Sequence, residues 1–233
     1  MNPQNSLPNN PIFFDNNKYK KPEDLVNKRI QDNKDFPGFT ANDASASLVE
    51  KKHVSFKPLA RTLLDFTKDL KISNPSTLEL GCGGGSLAEF LCAENVNYLG
   101  VDGNPLIIEL CEFPKAHPEL FRILNLEDEI NFNTTFDIIM SFELLEHIRE
   151  SKVDNIIKTI ANHMNPRSIF IGTASLIKLE QPLHVTVQPR EWWFDKFAKF
   201  NLKPFETKFY RKILNNHPFN WREKNTNLII LSF

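Results

Sequence analysis

Apolar residues at Leu59, Leu63, Leu64, Phe66 and Leu70 recur with the helical period and predict an amphipathic helix. Asn74-Pro75 ends that pattern. Seven short apolar segments then predict strands: Thr77–Leu80, Tyr98–Val101, Phe121–Leu124, Phe136–Ser141, Ser168–Ala174, Phe205–Tyr210 and Asn227–Phe233. Helical patterns at Leu87–Ala93, Ile107–Phe113, Leu144–Asn162 and Glu191–Phe200 fill most of the gaps. Strands alternating with helices predict an α/β fold, a doubly wound, mostly parallel sheet with helices on both faces. Upstream of about residue 46 no period of 2 or 3.6 persists, and Phe13, Phe14 and Phe36 stand isolated among Asn, Pro, Lys and Asp. We read residues 1–56 as an N-terminal extension or lid, with at most one short helix, near Pro22–Gln31, and residues 57–233 as the globular domain.

Composition narrows the classes without choosing among them. The 233 residues are 41% hydrophobic and 24% charged, ordinary globular values that exclude disordered and collagen-like chains. Lys and Arg number 28 against 29 Asp and Glu, so the basic excess common in nucleic-acid binders is absent. Cys82, Cys92 and Cys111 are odd in number and form no Cys-x-x-Cys pair, which argues against a disulfide framework and a structural zinc site. Met1–Pro11 has no apolar core of the signal type, and no apolar run approaches the ~18 residues of a membrane span. The expectation is a soluble, cytoplasmic protein.

The chemistry concentrates where the first strand of the domain ends. Four of the eight glycines fall at Gly81, Gly83, Gly84 and Gly85, between an apolar strand and an amphipathic helix. Glycines there allow a tight turn and let a ligand approach the backbone. Asp102 closes the next strand, where an acid can accept hydrogen bonds from the ribose hydroxyls of an adenosine. A dinucleotide fingerprint would need a third glycine where Ser86 stands. The spacing that fits is acid-x-Gly-x-Gly-x-Gly, Glu79-Leu-Gly81-Cys82-Gly83-Gly84-Gly85. This resembles motif I of the Rossmann-like (class I) S-adenosylmethionine-dependent methyltransferases. Three further blocks resemble that family in order: Val101-Asp102-Gly103-Asn104, Leu124-Asn125-Leu126-Glu127, and Phe136-Asp137 through Ser141-Phe142-Glu143 to Glu146-His147-Ile148.

The resemblance implies a seven-stranded sheet of order 3-2-1-4-5-7-6 with the last strand antiparallel. It also implies S-adenosyl-L-methionine as cofactor and S-adenosyl-L-homocysteine as product. By the same resemblance Glu79 and the backbone of Gly81, Cys82, Gly83 and Gly85 face the methionine part, and Asp102, Gly103 and Asn104 the ribose. Asn125 and Leu126 would face the adenine, and Ser141 and Phe142 would border the sulfonium. Asp137 would be a strand residue and no ligand. The charges agree: the cofactor carries no phosphate, and the glycine loop carries no Lys or Arg.

Methyl transfer requires alignment of the acceptor with the methyl group, and removal of a proton when the acceptor is a hydroxyl. His147 and His184 are the candidate bases. Glu143, His184, Arg190 and Trp192 are candidate substrate contacts, with Glu143 or Glu146 able to bind a cationic acceptor or orient a histidine. The segment His184 to Trp193 resembles a block in small-molecule members of the family, some tied to glycan biosynthesis. The Asn/Asp-Pro-Pro-Tyr signature of nucleobase or glutamine methylation is missing, as is any basic run with interleaved aromatics or an evident metal-ligand cluster. The expected reaction is therefore O-methylation of a small polar metabolite, a sugar or glycan precursor, without metal, nucleic acid or membrane. Alternatives are N-methylation of a small amine or amide, a dinucleotide-dependent oxidoreductase, and a non-catalytic scaffold. The acceptor, the oligomeric state and the role of the extension are not legible in the sequence.

Overall fold

The computed structural model describes residues 56–104, 111–177, 184–216 and 226–233. Seven strands form one sheet: β1 Ser76–Leu80, β2 Asn97–Asp102, β3 Phe121–Ile123, β4 Phe136–Ser141, β5 Met164–Ser175, β6 Lys203–Pro204 and β7 Thr226–Ser232. Their order is β3-β2-β1-β4-β5-β7-β6, and β7 runs antiparallel to both β5 and β6 while the other pairs are parallel. The helices are α1 Lys57–Asp69, α2 Ser86–Cys92, α3 Glu112–Ala116, α4 Val153–Asn162, α5 Arg190–Ala198 and α6 Tyr210–Asn216.

Strand periodicity explains the two layers. Side chains alternate between sheet faces, so Ile138 and Met140 join one apolar cluster and Ile139 the other, as Leu228 and Ile230 are divided from Ile229 and Leu231. Leu59, Leu63 and Phe66 of α1, Leu87 and Leu91 of α2, and Ile213 of α6 cover the first face. Ile156, Ile157 and Ile160 of α4 with Trp193 and Phe197 of α5 cover the second. Parallel strands place their C-terminal ends on one edge, where ligands of open α/β sheets bind.

Two expected elements differ. The pattern at Phe205–Tyr210 is no strand: β6 stops at Pro204, whose ring nitrogen has no hydrogen to extend the ladder. The Phe205 amide makes one more bond to the Ile230 carbonyl, and Phe205 and Phe209 then turn their rings onto Phe66, at centroid distances of 6.3 and 5.4 Å. The helix expected over Leu144–Asn162 is two 3₁₀ turns, Leu145–His147 and Glu150–Lys152, ahead of α4. Arg149 between them is extended (φ −57°, ψ 138°), and the Glu146 carbonyl accepts the amides of Val185 and Thr186 from another part of the chain. Of the helix expected over Ile107–Phe113, residues 107–110 lie outside the described residues, and α3 begins at Glu112. The extension, residues 1–55, lies outside them as well, with its expected helix, its three phenylalanines and the lid reading.

Candidate active site

The glycine loop closes between β1 and β2. The Gly81 and Cys82 amides both donate to the Val101 carbonyl, at 2.8 and 3.2 Å, which bends the chain over the tip of β2. Gly81 (φ 79°), Gly83 (φ 50°) and Gly85 (φ 73°) occupy the left-handed region that side chains disfavour. A Cβ at Gly81 would also stand 3.0 Å from the Leu144 side chain, so the turn after β4 packs directly against the loop. Asp102 is fixed between the two: Oδ2 accepts the Gly83 amide and Oδ1 the Asn104 amide, each at 2.8 Å. Backbone amides thus aim both oxygens of the carboxylate, and a carboxylate oxygen can accept more than one hydrogen bond.

The remaining expected cofactor residues fall on the same edge of the sheet. Glu79 lies in the C-terminal half of β1, ahead of the loop. It is 5% exposed, and its Oε2 accepts the Tyr98 hydroxyl at 2.5 Å. Burial, and then the charge of Glu79, hold the Tyr98 hydroxyl well above the usual phenol range. Asn125 Oδ1 accepts the Glu127 amide and its Nδ2 donates to Asp128, so this side chain shapes its own turn, with Leu126 buried beside it. Ser141 and Phe142 are buried at the end of β4, and the Ser141 hydroxyl has no hydrogen-bond partner among the described residues. Asp137 bonds the amide and hydroxyl of Ser76, both at 2.8 Å, which is the strand role expected of it. Backbone that a Cβ would obstruct, a fixed acid at the tip of β2 and apolar walls at Leu126 and Phe142 fit S-adenosylmethionine.

Beyond the loop, the structure gathers residues that lie far apart in the sequence. The rings of His147 and His184 meet edge to face, with centroids 4.9 Å apart and planes at 81°. His184 Nε2 lies 4.0 Å from Glu146 Oε1, and its Nδ1 lies 2.6 Å from the Ile177 carbonyl oxygen. Glu146 is fully buried, and neither carboxyl oxygen has a hydrogen-bond partner among the described residues. Burial first, and then the charge of Glu143, push its carboxyl well above the usual carboxylate range. The Ser175 amide and the residue's own amide oppose that shift from outside hydrogen-bond geometry. Glu143 has a left-handed backbone (φ 50°) and accepts the Thr173 hydroxyl at 3.0 Å.

One ligand atom each from Glu146, His147 and His184 lies within 4.8 Å of the others. One carboxylate and two imidazoles are a donor set that could hold a divalent cation. No spacing in the sequence announces this group, because 36 residues lie between His147 and His184. Arg190 and Trp192 have other company. Arg190 donates to the Tyr210 hydroxyl at 3.1 Å and lies over the Phe194 ring, while Trp192 packs edge-on against Trp193 beneath Lys196.

A methyltransferase-domain family model matches residues 52–223. The ubiquinone biosynthesis O-methyltransferase of Pelagibacter ubique is 28% identical over 111 residues, covering 46% of this chain and 45% of that protein. The mitochondrial protein of the same name from Schizosaccharomyces pombe is 27% identical over 140 residues, covering 54% and 49%. The chain thus spans about half the length of the curated relatives it matches. Among solved structures, an S-adenosylmethionine-dependent methyltransferase from Clostridium acetobutylicum superposes with a TM-score of 0.62 at 12% identity, covering 82% of this chain and 97% of that one. A sugar N-methyltransferase from Streptoalloteichus gives 0.59 at 12% identity, covering 78% and 90%, and both likenesses concern the fold alone. Family match, strand order and glycine loop agree: the chain belongs to the methyltransferase-domain family, in its Rossmann-like S-adenosylmethionine-dependent class.

Proposed function

We propose that this protein transfers a methyl group from S-adenosylmethionine to a hydroxyl of a small molecule held at the ends of β4 and β5. The cofactor, when bound, supplies a methyl carbon activated by its sulfonium. The chain's own residues hold the two reactants in line and take the acceptor's proton. One observation carries the reading. A carbonyl oxygen has no proton to give, so at 2.6 Å the Ile177 oxygen must accept a hydrogen bond from His184 Nδ1–H, and in the neutral ring Nε2 is left as the proton acceptor. That nitrogen lies beside Glu146, on a turn packed against the glycine loop through Leu144. A proton moving from the acceptor oxygen to Nε2 creates an imidazolium 4.0 Å from Glu146 Oε1, and that positive charge in turn favours the ionised form of the carboxyl group. His147, edge-on to His184, helps to set the ring's position.

We rank a ubiquinone precursor first among acceptors, a reading supported by the names of the curated relatives. A sugar or glycan precursor, which the sequence suggested, comes second, and a small amine third. No helix among the described residues is long and apolar enough to cross a membrane. The test is S-adenosylhomocysteine formation, followed by mass spectrometry of the product, over a panel of ubiquinone precursors, sugars and amines. An O-methylated product with a hydroxyl compound supports the proposal, and turnover with amines alone contradicts it.

A second reading rests on the unpartnered oxygens of buried Glu146: Glu146, His147 and His184 hold a divalent cation in place of a proton. Metal analysis of the purified protein before and after chelation, with turnover measured on both samples, separates the two readings.

A further inference from the structure

The groups on the acceptor side come from a turn and a loop, and one rigid strand end holds both. β5 lies inside the sheet between β4 and β7, with Thr173 paired to Leu228 and Ser175 to Thr226. Thr173 and Ser175 are two residues apart, so their side chains project from the same face of the sheet. Both are buried, at 0% and 3% exposure.

The Thr173 hydroxyl accepts the Glu143 amide at 2.9 Å and donates to the Glu143 carboxylate at 3.0 Å. One oxygen thereby satisfies two groups of a residue whose left-handed backbone (φ 50°) a non-glycine side chain disfavours. Ser175 acts one step further along. Its hydroxyl accepts the Ile177 amide at 3.2 Å, and the Ile177 carbonyl accepts Nδ1–H of His184 at 2.6 Å. The bend after β5 therefore decides where that carbonyl points. The carbonyl decides which His184 nitrogen carries the proton, a task that a carboxylate performs in Ser-His-Asp triads. Glu146 stands on the other side of the ring, 4.0 Å from Nε2.

We propose that Thr173 and Ser175 are positioning residues: Thr173 aims the Glu143 carboxylate, and Ser175, through the Ile177 carbonyl, fixes His184 as the Nδ1–H tautomer with Nε2 as its proton acceptor. The proposal builds on the His184 assignment given above, but its test reads the ring itself and needs no acceptor. Either fate of Nε2, accepting a proton or binding a cation, requires this tautomer. Sequence periodicity alone would make both residues ordinary members of a buried strand.

The experiment is long-range ¹H–¹⁵N NMR on the full chain labelled with ¹⁵N-histidine and saturated with S-adenosylhomocysteine, His184 being assigned with His184→Gln. The wild type should show neutral His184 protonated at Nδ1 alone. Ser175→Ala should give a mixture of tautomers, and Ser175→Thr should restore the single form. Thr173→Val, close in shape, should speed hydrogen exchange of the Glu143 amide at least about tenfold, with Thr173→Ser restoring protection. S-adenosylhomocysteine affinity should stay within about twofold in every variant, which separates positioning from loss of fold. A wild-type ring protonated at Nε2, or an unchanged tautomer in Ser175→Ala, overturns the Ser175 role. Unchanged Glu143 exchange in Thr173→Val overturns that of Thr173. The wild-type spectrum decides the tautomer even if a variant fails to fold. The expected tautomer without methyl transfer to any hydroxyl compound leaves this proposal standing and removes the proposed function instead.

Discussion

Glu127 links the turn at Asn125–Leu126 to the segment that follows His147, through Arg149. Its side chain is 10% exposed and accepts from the Arg149 amide at 3.0 Å and from Arg149 Nε at 3.0 and 2.9 Å, with a further close bond from the guanidinium NH2. The Glu127 carbonyl accepts Asn155 Nδ2 at 2.9 Å, which ties the same turn to α4. Breaking a fully buried pair costs about 3–5 kcal/mol, and an exposed pair contributes about 0–1. The Arg149 side chain is 36% exposed, so its charge can rehydrate, while its amide loses its acceptor. Glu127→Ala should therefore destabilise the fold by about 2–3 kcal/mol, and Glu127→Gln, which keeps an acceptor oxygen, by about 1–2. Because Leu126 and His147 lie on the two segments it joins, Glu127→Ala should also weaken S-adenosylhomocysteine binding, by about 0.5–2 kcal/mol. Urea denaturation at pH 7 measures the first effect and isothermal titration calorimetry the second. A stability change below about 0.5 kcal/mol would show the pair to be a surface ornament and refute the reasoning.

Asp102→Ala should weaken S-adenosylhomocysteine binding by about 1.5–3 kcal/mol, the scale of a hydrogen bond to a charged group; calorimetry with an intact fold and unchanged affinity would count against it. His184→Ala should lower turnover by ~10²–10⁴ and spare cofactor affinity, whereas His147→Ala should disturb both; steady-state kinetics with the acceptor from the panel decides. His163 is fully buried, with Nδ1 on the Thr159 carbonyl at 2.6 Å and Nε2 accepting the Phe132 amide at 2.8 Å, and burial lowers its pKa. The unfolded chain then binds the extra proton first, so this residue's contribution to stability is present above about pH 6.5 and is lost as the pH falls towards its folded pKa. Denaturation midpoints between pH 7.5 and 5 should fall, and should fall less in His163→Gln.

Residues adjacent in sequence made the strands and the loop legible. The alternation in Phe136–Ser141 and Asn227–Phe233 reports directly which side chains enter which layer, and the Gly81–Gly85 cluster marks the left-handed positions that the turn uses. The break at Arg149 has its cause in Glu127 and in the amides of Val185 and Thr186, so no local pattern could announce it. Phe205 and Phe209 looked like a strand because aromatic residues favour strands, but both rings are packed against Phe66 of α1. Gly100 passed unnoticed inside β2, although a Cβ there would stand 2.9 Å from both Cys82 Sγ and the Tyr98 hydroxyl, under the loop. Both histidines were visible as candidates, while the approach of buried Glu146 to His184 and the tie of His184 to Ile177 depend on the chain returning after β5.

The central claim is that the Gly81–Gly85 loop and Asp102 form an S-adenosylmethionine site and not a dinucleotide site. Titration calorimetry of the purified chain against S-adenosylhomocysteine and, separately, against NAD tests it most directly. Saturable binding of one S-adenosylhomocysteine per chain, lost in Gly83→Val, is expected, with no measurable heat from NAD. Absence of S-adenosylhomocysteine binding by a folded chain, or NAD binding of equal strength, would contradict it.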